Sequence, residues 1–169
     1  MVSLPEISKV LSAHPAVRRA ETAIVRCDGR DVTVAAAELN QYVSGPILRN
    51  HVWQKLGEDS GLAAVLIVES IAAAGDAADA EFLASAVADG RCALFEEPRD
   101  DVERRLAAIW SENLDGTRVG VHDDFLELGG DSLSALRIIT AIEAQFDRSV
   151  DVYEFMSAGS VRRLADLLR

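Results

Sequence analysis

The chain has 169 residues, 49% of them apolar, and a formal net charge of −11, which is enough apolar material to bury the core of one ordinary domain or two small ones. The negative charge argues against nucleic acid as a partner, because phosphate binding needs clustered Lys and Arg, and it favours basic protein partners instead. The longest apolar run, Leu62–Val68, is about a third of the roughly 20 residues a membrane span requires, and the N-terminus lacks a basic flank followed by an apolar block, so no membrane partner is expected and the protein is placed in the cytoplasm.

Ser3-Leu4-Pro5-Glu6 is an S-x-x-E capping pattern with proline in the first turn, and Ile7, Val10 and Leu11 share one face behind it, so a short helix opens the chain. His14-Pro15 ends that helix. Ala20 to Arg26 reads as a strand, Asp28-Gly29 as a tight turn, and Val32-Thr33-Val34 as the returning arm of a hairpin. Ile47, Val52, Trp53 and Leu56 fall near helical spacing with Gly57 at the C-terminal position, and Leu62–Val68 follows as a short buried strand. The order helix, strand, strand, helix, strand predicts a small α+β domain with its helices packed on a sheet, occupying residues 1–89. Ile71 to Ala80 is alanine-rich, helical or irregular, and residues 90–100 interrupt any sustained periodicity and read as a linker.

From residue 101 onward no strand pattern is evident. Val102, Leu106, Ile109 and Trp110 line one face of a helix; Leu136, Ile139, Ile142 and Phe146 line a second; Val161, Leu164, Leu167 and Leu168 mark a last one, and Val152 to Met156 supplies a turn or two between. The long connection from Leu114 to Asp131 must wrap the bundle and plug it with Phe125 and Leu128. An all-α four-helix bundle over residues 101–169 is therefore expected, carrying one functional loop.

Cys27 and Cys92 form no CxxC pair, and His14, His51 and His122 are scattered, so no metal site is expected and ordinary structural or surface roles are assigned to all five. The chemistry concentrates in Asp124-Phe125-Leu126-Glu127-Leu128-Gly129-Gly130-Asp131-Ser132-Leu133, directly before an amphipathic helix. Ser132 is either the first residue of that helix or its cap, where free N–H groups and positive potential suit a phosphodiester. Gly129 and Gly130 let the chain turn without crowding the hydroxyl. Taken alone, the same residues also fit a capped helix after a Gly-Gly turn. A hydrolase nucleophile is disfavoured, because the G-x-S-x-G elbow is missing and His122 is the only nearby base.

Asp124-x-x-x-Leu128-Gly129-Gly130-Asp131-Ser132-Leu133 closely resembles the core motif of peptidyl carrier domains of nonribosomal peptide synthetases. Asp101 to Trp110 resembles their first helix, Val119 to Phe125 the loop before the motif, and Val161 to Leu168 the last helix, so the resemblance covers about residues 98–169. It implies that a phosphopantetheinyl transferase, with coenzyme A and magnesium, attaches 4′-phosphopantetheine covalently to Ser132. The holo form would then hold an aminoacyl or acyl group as a thioester, with no catalytic residue of its own. It also implies that Asp131 helps position the transferase, that Gly130 keeps the site open, and that Leu133 and, less strongly, Met156 face partners. Core packing is the equal alternative for those last two.

Residues 4–83 resemble more faintly the small C-terminal subdomain of adenylation enzymes, with His14-Pro15-Ala16-Val17 near its opening helix and strand, Pro46 to Leu56 near its later helix and Ala63 to Ile71 near the strand after it. That family places a Gly-Lys pair shortly after the last strand, but here Asp76 follows Gly75. The alternative alignment, Asp89-Gly90-Arg91, offers an arginine far along the chain from the strand, and a guanidinium is not equivalent to a compact ammonium. Adenylation by this chain alone is not expected. The resemblance implies a monomeric carrier loaded in trans by an adenylation enzyme and visited by condensation or tailoring enzymes. The alternative is an accessory subunit that completes or docks onto a separate adenylation core.

Overall fold

Helix α1 (Leu4–Ser12) begins at Ser3 in the computed structural model, which describes residues 1–71 and 80–169. The Ser3 hydroxyl accepts from the Glu6 N–H at 3.4 Å and the Glu6 carboxylate accepts from the Ser3 N–H at 2.7 Å, so two N–H groups that the helix would leave unpaired are satisfied reciprocally. The described residues divide into two units, Met1–Leu94 and Phe95–Arg169.

In the first unit, β1 (Val17–Cys27) and β2 (Arg30–Leu39) form an antiparallel hairpin that closes at Cys27 opposite Arg30. Asp28 and Gly29 both take positive φ, 50° and 79°, the two-residue turn whose twist matches that of paired strands. Helix α2 (Gly45–Leu56) carries the chain across to β3 (Leu62–Val68), which pairs parallel to β2 and gives the order β1-β2-β3. Both strands of the hairpin run longer than sequence patterning indicates. β2 continues through Ala35, Ala36 and Ala37, which lack the β-branching that flags a strand.

These alanines alternate between two buried faces. Ala35 and Ala37 pack with Ile7, Leu11, Leu48, Val52 and Val65 under α1 and α2, whereas Val34 and Ala36 pack with Val25, Leu66, Leu83 and Ala86 under α3 (Ala80–Ala88). A sheet covered on both sides reads as a continuous apolar run rather than as alternation. Helix α3 itself was not evident from the sequence. The alanine-rich stretch from Ile71 to Ala80 falls mostly at 72–79, outside the described residues.

The second unit contains α4 (Asp101–Asn113), α5 (Ser132–Phe146), α6 (Val152–Ala158) and α7 (Val161–Leu168), four helices joined by loops, as expected. Phe125 and Leu128 of the connecting loop are buried in a common core with Leu106, Trp110, Ile138, Phe155 and Leu164. Helix faces differ from the sequence reading by about one position. Ile47, Leu136 and Leu167 are exposed, and Leu48, Ala135, Ile138 and Ala165 take the core places. Each displaced residue adjoins the apolar stripe, and in helices this rich in apolar residues the packing partners decide which edge of the stripe turns inward.

Phe95–Asp100, within the stretch read as a linker, lies in the second unit and is tied down by charge. The Glu103 side chain is fully buried; its carboxylate accepts from the Arg162 Nε at 3.0 Å and from the Arg99 backbone N–H at 3.0 Å. Arg162 also pairs with Glu96 at 2.7 Å, and the His122 Nε2 lies 2.9 Å from the Glu96 carboxylate. Burial pushes the Glu103 carboxyl up, but Arg162 and the Arg99 N–H together hold it below its ordinary value; Glu96 is lowered chiefly by its bond to Arg162. A carboxylate lowered in the folded state contributes stability above its ordinary pKa of about 4.3 and loses it as the pH falls through the folded value. Glu103→Gln should therefore cost about 3 kcal/mol at neutral pH, as expected when one partner of a buried pair is removed, and should flatten the loss of thermal stability below about pH 4, both read from melting curves.

Candidate functional site

The loop that precedes α5 is wound around the backbone and side chain of Asp124. The Asp124 Oδ1 accepts from the N–H of Leu126 at 2.9 Å and of Glu127 at 3.1 Å, and the Asp124 carbonyl accepts from Leu128 N–H at 3.0 Å. Phe125 fixes the next layer: its N–H donates to the Gly159 carbonyl at 2.9 Å and its own carbonyl accepts from Gly130 N–H at 3.0 Å. The Phe125 ring sits edge-on to Trp110 and to Phe155, at 5.5 and 5.0 Å between centroids, the geometry aromatic quadrupoles favour.

The adjacent glycines are needed for different reasons. Gly129 has φ of 89°, a left-handed conformation that side chains resist, with no neighbour near the place of a Cβ. Gly130 has ordinary φ, but a Cβ there would lie 2.5 Å from Cε2 and 2.6 Å from Cε1 of Phe125, with Cζ nearer still.

Asp131, and not Ser132, is the cap of α5. The Asp131 Oδ1 accepts from Ser134 N–H at 2.8 Å and the Ser134 Oγ accepts from Asp131 N–H at 2.8 Å, closing a capping box. The Ser134 N–H holds the Asp131 carboxyl below its ordinary value, whereas burial beside Asp124 and Asp123 pushes Glu127 up. Ser132 is thus the first helical residue: exposed, with a hydroxyl that makes no hydrogen bond among the described residues. The capped helix after a Gly-Gly turn that the same residues also fit is present, with Asp131 and not Ser132 as its cap.

Leu133 is 58% exposed and Met156 40% exposed, so neither packs in the core, and Leu126, Leu136, Val152 and Tyr153 are exposed as well. Ser134 and the Phe125–Gly130 contact were missed from the sequence. Ser134 had a readable signal in the D-x-x-S spacing from Asp131, but nothing in the chain order joins Phe125 to Gly130. His122, the one nearby base, is engaged by Glu96 and Arg162 and makes no contact with Ser132. An exposed hydroxyl bonded to none of the described residues is open to a group delivered by another enzyme. Its exposure, the bare turn at Gly129 and the ordered helix end together fit a covalent phosphodiester such as that of 4′-phosphopantetheine.

Residues 104–168 match the family model described as "Phosphopantetheine attachment site". The chain is 39% identical over 88 residues to N-(5-amino-5-carboxypentanoyl)-L-cysteinyl-D-valine synthase of Amycolatopsis lactamdurans, covering 52% of this chain and 2% of that protein. It is 33% identical over 159 residues to a linear gramicidin synthase of Brevibacillus parabrevis, covering 82% of this chain and 3% of that protein, a match long enough to reach into the first unit. The chain thus spans only a small fraction of these curated relatives. Among solved structures it is similar to BlmI, a type-II acyl-carrier-protein from Streptomyces verticillus involved in bleomycin biosynthesis, at 34% identity and a TM-score of 0.39, covering 40% of this chain and 81% of that one.

Because Asp131 carries the cap while Ser132 carries none of it, Asp131→Ala should lower stability by about 1 kcal/mol in chemical denaturation, and Ser132→Ala should leave it within about 0.5 kcal/mol of wild type.

Proposed function

We propose that this chain, whose residues 104–168 match the phosphopantetheine attachment site model, carries its 4′-phosphopantetheine on Ser132 and works in nonribosomal peptide or hybrid biosynthesis. The observation that carries the assignment to Ser132 is its exposed, unbonded hydroxyl at the first position of α5, inside the matched segment. The Ser132 Oγ forms the phosphoester by displacing the nucleotide part of coenzyme A, its proton leaving to the transferase that binds both. The arm, when bound, supplies a thiol that holds an aminoacyl or acyl group as an activated thioester, at high local concentration for each partner within reach. Asp131 keeps the helix end ordered for the transferase, Gly130 keeps the turn in place, and Leu133 and Met156 belong to the surface that partners meet.

The role of the chain is that of a carrier and not of a catalyst. A carrier of this kind has adenylation and condensation domains as partners, with a phosphopantetheinyl transferase converting apo to holo, and it works as a cytoplasmic monomer loaded in trans. Among the described residues no helix is long and apolar enough to cross a membrane.

The first unit is adenylation-C-terminal-subdomain-like, and its role is non-catalytic: it lacks the adenylation lysine and serves packing or docking. Gly75-Asp76, where that lysine would stand, lies outside the described residues. The alternative cation, Arg91, is paired to Asp89 at 3.3 Å and sits over the Phe82 ring. Residues 1–89 and 101–169 are the two functional parts, with 90–100 spanning their junction. The second reading, an accessory subunit that completes or docks onto a separate adenylation core, is supported by the length of the gramicidin synthase match.

Two measurements separate these readings. Intact mass after incubation with coenzyme A, magnesium and a broad-specificity transferase should rise by one phosphopantetheine on wild type and not on Ser132→Ala; no gain on folded wild type would remove the carrier assignment. ATP-pyrophosphate exchange should be absent with this chain alone. Exchange gained by a separate adenylation core only when residues 1–89 are present would establish the accessory-subunit reading.

A further inference from the structure

We propose that Phe125 is a positioning residue for the modification of Ser132: its ring occupies the volume that a side chain at residue 130 would need, and so fixes the turn from which Ser132 departs. This inference rests on the reading of Ser132 as the attachment residue. Phe125 is only 1% exposed, and its contacts reach α4, α6 and the turn at Gly130. Its ring packs on Trp110 of α4 and Phe155 of α6, its N–H holds the Gly159 carbonyl at the end of α6, and its carbonyl holds the Gly130 N–H.

Gly130 is therefore pinned from two sides, by a hydrogen bond to the Phe125 backbone and by the ring edge standing where its Cβ would be. Only the next residue, Asp131, separates this pinned point from Ser132. Gly130 does not take the left-handed conformation that resists side chains, and the three atoms nearest to a methyl group there all belong to the Phe125 ring. A methyl group at 130 must push either the ring or the turn, and a core of three interlocked aromatic rings yields less readily than a half-exposed turn. The turn moves, and Ser132 moves with it.

The steric account makes a reciprocal prediction that a general loss of packing does not. Leucine lacks the ring edge, so Phe125→Leu should open the space that Gly130→Ala requires. Transferase kinetics, with the carrier as varied substrate, would be measured on wild type, Gly130→Ala, Phe125→Leu and the double variant, alongside near-ultraviolet circular dichroism to confirm a packed core. Gly130→Ala should lower kcat at saturating carrier by about tenfold or more, the scale expected for an ångström-sized displacement of a reacting group. Adding Phe125→Leu should return the rate to that of Phe125→Leu alone.

Wild-type kinetics of Gly130→Ala would overturn the proposal, as would a folded double variant no faster than the folded Gly130→Ala. If Gly130→Ala does not fold, the comparison of the double variant with Phe125→Leu decides: equal rates support the fit, and a folded double variant at least about tenfold slower refutes it. Failure of the underlying reading has a different signature, because wild type would then gain no mass, or Ser132→Ala would gain as much.

Discussion

The edge-on packing of Phe125 between Trp110 and Phe155 is the contact on which the second unit's geometry depends. A loop of this length would ordinarily sample many conformations, and ordering it costs about 1–2 kcal/mol per residue in backbone entropy. Burial of Phe125 and Leu128 offsets that cost and converts the loop into part of the core. From this anchor the chain climbs through two glycines to the cap at Asp131, so the position of an exposed hydroxyl is set by a ring that solvent never reaches.

A second device, made of charge, ties the segment before α4 to α7. The Glu103 side chain is fully buried, an arrangement that would be strongly unfavourable for a lone carboxylate, and Arg162, Arg99 and Arg169 surround it. Arg162 reaches on to Glu96, while Arg118 stacks on Phe95 and pairs with Glu97. Residues that precede the first helix of the bundle are thereby held by its last helix. The first unit uses a different solution, a three-stranded sheet covered on both faces, in which small alanines on β2 let helices approach from either side.

What the sequence disclosed followed from how local each signal is. The Asp28-Gly29 turn, the Ser3–Glu6 capping box and the apolar run Leu62–Val68 depend on neighbours within a few residues, and each was legible. The extent of β2 was not, because alanine carries little strand preference, and α3 was not, because its apolar residues lie in an alanine-rich tract without clear periodicity. Ser132 stood out through its motif, yet the division of labour at the helix end, Asp131 capping and Ser132 idle, needed coordinates. Gly129 and Gly130 look equivalent in the chain and differ completely in space. The Glu103–Arg162 pair joins positions 59 apart, and no pattern along the chain announces it.

The capping box has a consequence for any group joined to Ser132. A helix end attracts an anion through its unpaired N–H groups, but here the Asp131 carboxylate already occupies that end, and it stays ionised because its bonds to Ser134 hold its proton affinity down. A phosphate joined to Ser132, the proposed attachment residue, would therefore share the helix end with a carboxylate already in place, and the N–H from which Asp131 accepts would not be open to it.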